Sequence, residues 1–268
     1  MDISKVYHQS PTPDETPLLI EQNLSEFAQA LGEINDANKT KGYMMAKKRC
    51  PEECSDAFKL VFLRCEVFNI DRAVQRWLKY WDTRIKVFGE ERAFLPIHTL
   101  DDATEDDKAA LQMDYLQVAD ETDPDGRAIL FFDFSKESSN IPSDSLLRAV
   151  WYQVHVALRK DSVQKHGVVV FTKTINKLSD WRPSLSKKIA LAGKGVLPVR
   201  FAGMHYVNPP TLITVVMPII RSVVGKKLRH RFYTHSGTTD EVLESLSRFG
   251  LGTKERLPVM FGGNLDFQ

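Results

Sequence analysis

The sequence predicts an α/β protein: a small, mainly parallel sheet with crossover helices that forms an apolar pocket, preceded by an all-helical N-terminal module. Three observations predict it. From Ala128 onward, short apolar runs bounded by turn residues alternate with longer segments at helical spacing, the pattern of βα units. Upstream of that point, apolar residues recur only at helical intervals. Hydrophobic residues make up 43% of the 268 residues, enough for a sizeable core, and the 26% charged fraction is that of a soluble globular protein. Three regions follow: a tail with helices of uncertain docking over 1–48, a helical module over 49–115, and the α/β domain over 116–268.

Taken in order, residues 1–17 carry Pro11, Pro13 and Pro17 and little apolar content, and are expected to be a loose tail. Residues 18–48 read as one or two helices. Pro51 and Glu52 open a helix on which Phe58, Val61, Phe62 and Cys65 share a face. Asn69 caps the next helix, where Val74, Trp77, Leu78, Trp81, Ile85 and Phe88 form one stripe, and Gly89 ends it. The stretch 101–125 holds ten Asp or Glu against one Lys, and closes on the turn Asp123-Pro-Asp-Gly126. Strands are then predicted at Ala128–Phe134, Gly167–Ile175, Val199–Val207 and Leu228–His235. Helices are predicted at Leu146–Leu158, Leu185–Leu197, Thr211–Val224 and Thr239–Phe249.

The first fifteen residues lack the basic start and apolar run of a signal peptide. No stretch approaches the roughly 18–20 apolar residues of a spanning helix. Together with three cysteines, read as reduced thiols, this predicts a cytoplasmic protein that visits membranes transiently. The sequons at Asn23 and Asn38 mean little without secretion.

Catalytic constellations are absent. There is no Gly-x-Ser-x-Gly elbow and no phosphate-cradling loop. Gly193-Lys-Gly195 sits late in a helix, where the dipole repels phosphate, and reads as a helix-to-strand turn. Cys50 and Cys54 lack the further ligands of a zinc site, so no metal and no cofactor are expected. His205 and His235 read as satisfied core histidines, and Asp133 as a solvated or turn residue.

One stretch stands out. From Trp181 to Thr239 there is no Asp or Glu, but there are ten Lys or Arg around the most apolar helix of the chain. Cations beside an apolar helix suit an anionic membrane surface, at about 1 kcal/mol per well-placed charge. The alternative is a set of charges balanced in space by the acidic 101–125 segment. Nucleic acid is not expected, because the interleaved residues are aliphatic rather than stacking aromatics.

Several segments carry a resemblance. Phe62-Leu-Arg-Cys-Glu-Val-Phe-Asn-Ile-Asp-Arg-Ala73 and the Trp-rich helix after it resemble the N-terminal helical module of CRAL-TRIO lipid-binding proteins. Asp125-Gly-Arg127 resembles the family's lead-in to its first strand. Pro198-Val-Arg-Phe-Ala-Gly-Met-His-Tyr-Val-Asn-Pro-Pro210 resembles its strand ending in Asn-x-Pro. Arg231-Phe-Tyr-Thr-His235 and Leu257-Pro-Val-Met-Phe-Gly-Gly263 resemble its last strand and closing signature. The ordered set spans about residues 56–264, and Lys187-Lys-Ile-Ala190 points to the tocopherol-transfer and retinaldehyde-binding branch.

The resemblance implies a sheet that floors an apolar pocket, a mobile helix over it at 211–224, and no catalysis. The implied ligand is one hydrophobic small molecule or phospholipid, moved between membranes by a protein expected to be a monomer. The implied lining is Leu147, Val150, Val154, Val168, Val170, Ile189, Leu197, Val199, Phe201 and Met204, with Leu212, Val216 and Ile220 from the covering helix. Arg200, Lys226, Lys227, Arg229 and Arg231 are expected at the membrane or headgroup. Phosphatidylinositol-binding members commonly have Pro-Glu-Arg where this chain has Pro198-Val-Arg200, which argues against inositol recognition inside the pocket. The alternative function is a lipid-regulated interaction module without transfer activity.

Overall fold

Side-chain caps and apolar stripes set the helices of the N-terminal half. The computed structural model describes residues 3–97, 104–138, 140–175 and 177–267, with the side chains of Ser138, Lys226 and Lys227 also outside it. Helix α1 spans Ile3–Val6, α2 Pro17–Gly32, α3 Ala37–Arg49, α4 Asp56–Cys65, α5 Ile70–Arg92 and α6 Lys108–Leu111. Thr16, Asp36, Ser55 and Asn69 cap α2 to α5, each accepting a first-turn amide N–H on its side-chain oxygen. Gly89 leaves the helical region at φ +77° and breaks α5, as its position predicts. The stripe of α5 buries Trp77 and Trp81 completely, and Phe58, Phe62 and Tyr80 pack edge-on around Trp77 and one another.

The second half is a five-stranded sheet in the order β1-β2-β3-β4-β5. Its strands are β1 Leu116–Thr122, β2 Ala128–Asp133, β3 Val168–Lys173, β4 Phe201–Val207 and β5 Phe232–His235. The pairs from β2 to β5 are parallel, and β1 joins β2 antiparallel. The parallel pairs need crossovers. These are α7 Ser143–Ala157 with α8 Asp161–His166, α9 Pro183–Gly195, and α10 Ile213–Val224 with α11 Lys226–Arg229. Helix α12, Thr239–Ser247, follows β5 and opens on a Thr238/Glu241 capping box.

Side chains alternate across the sheet. Leu130, Phe132, Val168 and Val170 join a buried cluster that runs from Phe27 on α2 to Val199, so the helical region and one sheet face share a core. Ile129, Phe131, Val169 and Phe171 face the other way, onto Tyr7, α12 and the closing segment. The ladder slips between Val168↔Phe201 and Val169↔Gly203, leaving Ala202 as an extra residue on β4.

Four expectations are corrected. Strand β1 lies inside the acidic stretch. It buries only Leu116 and Ala119 and turns its acids outward, so no apolar run marks it. Strand β5 begins at Phe232, because residues 226–229 form a helical turn. Asp133 is buried and pairs with Lys173 at 3.4 Å. Residues 3–10 are no loose tail: Tyr7 is fully buried against the sheet. Gly193–Gly195 closes α9 before β4, as expected of a helix-to-strand turn.

Candidate functional site

The helix-bearing face of the sheet does not pack shut. Between β2–β4, α7, α9 and α10 lies a cavity of about 160 Å³. Of the thirteen residues expected around it, twelve line it. The sheet side contributes Val168, Val170, Phe201 and Met204, with Leu197 and Val199 just before β4. Helices α7 and α9 contribute Val150, Val154 and Ile189, and Leu212, Val216 and Ile220 come from the roof. Leu147, one turn before Val150, is buried in the core without reaching the cavity.

The wall holds residues the sequence reading missed. Phe132 could have been found from its alternation with Leu130. Phe134, Trp181 and Tyr206 arrive from loops and a strand end, and no local pattern announces them. Polar groups at the margin are already engaged. Trp181 Nε1 donates to Ser186 Oγ at 2.9 Å, and the Tyr206 hydroxyl rests on Met204 Sδ at 2.9 Å. Among the described residues such a wall offers dispersion and apolar burial, with no acid, base and nucleophile arranged around a reacting atom. Behind it, Glu137 accepts from the Tyr115 hydroxyl (2.8 Å) and the Arg182 amide (2.7 Å), and burial raises its carboxyl pKa.

Helix α10 roofs the cavity. Ile213, Val216 and Ile220 point in, while Val215 and Ile219, 52% and 47% exposed, point out. Its apolar circumference is thus not buried on all sides. Pro218 interrupts its hydrogen bonding, and Gly225 at φ +81° ends it.

Beyond the roof's C-terminal end lies a second cavity, of about 430 Å³. The two share Gly193, Lys194, Val199, Phe201, Val224 and Leu228. The second is lined by Arg72, Arg76, Lys194, Arg200 and Arg231 against the single carboxylate of Glu66. Here the expectation of surface cations is corrected for two residues. Arg200 and Arg231 are 9% and 5% exposed. Arg200 donates to the carbonyls of Lys165 (2.6 Å) and Ser10 (2.5 Å), and Arg231 to those of Phe201 and His8. Arg229 is exposed, its Nε on the Arg221 carbonyl at 2.7 Å. The side chains of Lys226 and Lys227 lie outside the described residues. Among the described residues of the acidic segment, Asp107 pairs with Arg148 and Arg92, and Asp123 with Arg127, rather than with these cations.

The histidines are satisfied, as expected. His205 Nδ1 and His235 Nε2 are 2.9 Å apart, with Tyr7 and Ser245 bonded at the two ends. Cys50 and Cys54 are free thiols that burial pushes up to about 11 and about 12. Among the described residues, no three His, Cys, Asp or Glu side chains gather as a metal site would require, and no helix is long and apolar enough to cross a membrane.

This arrangement has known counterparts. The family model described as CRAL/TRIO domain matches residues 112–263. The chain is similar to the alpha-tocopherol transfer protein-like protein of Mus musculus, 27% identical over 227 residues, which cover 82% of this chain and 62% of that protein. It is also similar to clavesin-1 of Xenopus laevis, 27% identical over 219 residues, covering 78% and 61%. The matches thus span less than two thirds of these relatives' length. The crystal structure of Sfh5 superposes with a TM-score of 0.54 at 12% identity, over 96% of this chain and 94% of that one, a likeness of fold.

Proposed function

The chain belongs to the CRAL/TRIO family, and on that premise we propose that it is a non-catalytic carrier of one apolar, lipid-like molecule, which it exchanges at membrane surfaces. The observation that carries the reading is the apolar cavity under a helix whose outer face is also apolar and exposed. Burying about 300 Å² of ligand surface would contribute about 7 kcal/mol before the costs of association. That retains a ligand in water while letting it leave into lipid.

The cavity is close to the roughly 150 Å³ that admits a benzene-sized guest. A lipid needs more room, so loading requires α10 to swing outward. Val215 and Ile219 would then meet acyl chains and keep the opened helix out of water. Arg229 and the basic stretch around it favour an anionic surface, where the protein, cytoplasmic and monomeric in this reading, docks transiently. The names of the relatives support transfer as the activity, with the ligand set by the shape of this cavity.

The test is transfer of a fluorescent hydrophobic probe from donor to acceptor vesicles, with protein at catalytic ratio to lipid. Faster transfer that saturates with protein supports the carrier. Tight probe binding without any gain in transfer would favour a lipid-regulated interaction module.

A further inference from the structure

The segment before α2 is fastened across the sheet by contacts from four directions. The Tyr7 hydroxyl bonds His205 Nε2 at 2.9 Å, and its ring lies where a Cβ on Gly203 would come within 2.7 Å. Arg127 donates to Ser4 Oγ (2.9 Å) and to Gln9 Oε1 (3.0 Å). The Tyr233 hydroxyl donates to the Val6 carbonyl at 3.3 Å. Arg200 and Arg231 donate to the carbonyls of Ser10 and His8, while Gln9 and Ser10 form part of the wall of the basic cavity.

We propose that residues 3–10 are an autoinhibitory strap: docked, they cap Arg200 and Arg231 at one wall of the basic cavity, and their release exposes both guanidiniums to an anionic membrane.

Three features favour release at such a surface. The strap offers neutral carbonyls, whereas phosphate or carboxylate oxygens make stronger, charge-assisted bonds to guanidinium. Arg231 Nε is buried without a hydrogen-bond partner among the described residues, so the docked strap leaves donor capacity that an anion would use. His8 stands at φ +50°, a left-handed conformation uncommon outside glycine, which relaxes when the strap lifts. Capped, the two arginines are withheld from solvent; uncapped, they join Arg72, Arg76 and Lys194 in one cationic field. The strap would thus keep the carrier off membranes until a sufficiently anionic one competes for its arginines.

The inference rests on the reading that the basic region meets an anionic surface, and the experiment separates the two. Wild type, Tyr7→Ala, and Tyr7→Ala with Arg200→Gln and Arg231→Gln are sedimented with phosphatidylcholine vesicles, with and without phosphatidylserine. The Tyr7→Ala protein is expected to bind the anionic vesicles several-fold more than wild type. Added salt or the two arginine substitutions should remove the gain, and binding to neutral vesicles should not change. Ser4→Ala with Gln9→Ala, which loosens the strap without touching the core, should give a smaller gain in the same direction and stands in if Tyr7→Ala misfolds. Equal binding of wild type and both strap variants to anionic vesicles, above their binding to neutral ones, overturns the strap and leaves the surface reading intact. No preference of any variant for anionic vesicles overturns both.

Discussion

Phe201 and Met204 stand three positions apart on β4 and still face the same cavity, because Ala202 is an extra residue in the ladder between them. Without that slip, strand alternation would turn one of them to the opposite face. Phe201→Asp sets a carboxylate into this apolar wall, at the margin it shares with the basic cavity. The expected result is a protein that still purifies but retains at least about tenfold less ligand, since apolar ligand surface packed against a carboxylate forces its desolvation, at about 1–3 kcal/mol or more. Ligand content by extraction, beside circular dichroism, checks it; unchanged content would mean the ligand sits elsewhere.

The outer face of α10 should matter to exchange and not to folding. Val215→Asp with Ile219→Asp alters two exposed residues, so stability should move by about 0.5 kcal/mol or less. Transfer between vesicles should fall several-fold, because the opened helix would carry charge into the lipid interface. Hydrogen exchange over 213–224 should change when anionic vesicles are added to wild type. Unaltered exchange together with full transfer would show that the ligand leaves by another route.

Acid should weaken the protein through its histidine pair. Burial, then His235 and Arg248, lowers the His205 pKa well below its ordinary value, and burial and Arg248 bring His235 down to about 4. The unfolded chain therefore binds protons that the folded one refuses, and stability rises with pH across this range. The His235 contribution is complete above about 6.5 and is lost as pH falls toward 4, at most about 3 kcal/mol, and His205 acts in the same direction. Chemical denaturation at pH 7 and pH 4.5 reads the loss, and His235→Gln should reduce it. A wild-type profile flat over this interval would contradict the assignment.

Gly203→Ala tests the packing beneath Tyr7. The new methyl would lie 2.7 Å from the Tyr7 ring and 2.9 Å from that of Tyr233, closer than either can accept. A loss of about 1–3 kcal/mol is expected from overpacking. A loss half as large in a Tyr7→Ala background would identify the Tyr7 contact as its source, and equal losses in the two backgrounds would not.

Much of this molecule was legible in its sequence because the relevant signals are local. The stripe from Val74 to Phe88 and the Asn69 cap specify α5, and the apolar runs after Ala128 specify β2 to β4. The cavity wall was legible through the family resemblance, since pocket and core residues look alike in composition. What escaped depends on distant partners. Leu116 and Ala119 mark β1 only once β2 lies beside them. Tyr7 looks like part of a tail until His205, 198 positions away, supplies its partner. Arg200 and Arg231 read as surface cations because two of the carbonyls that hold them, those of Ser10 and His8, belong to that same segment.

The central claim is that the cavity under α10 holds one apolar molecule. Its most direct test is organic extraction of the purified protein followed by mass spectrometry, with intact-mass measurement under native conditions to give stoichiometry. The account predicts one hydrophobic compound per chain, lost in Phe201→Asp. A stable protein that emerges empty, and stays empty after incubation with lipid extracts, would contradict it.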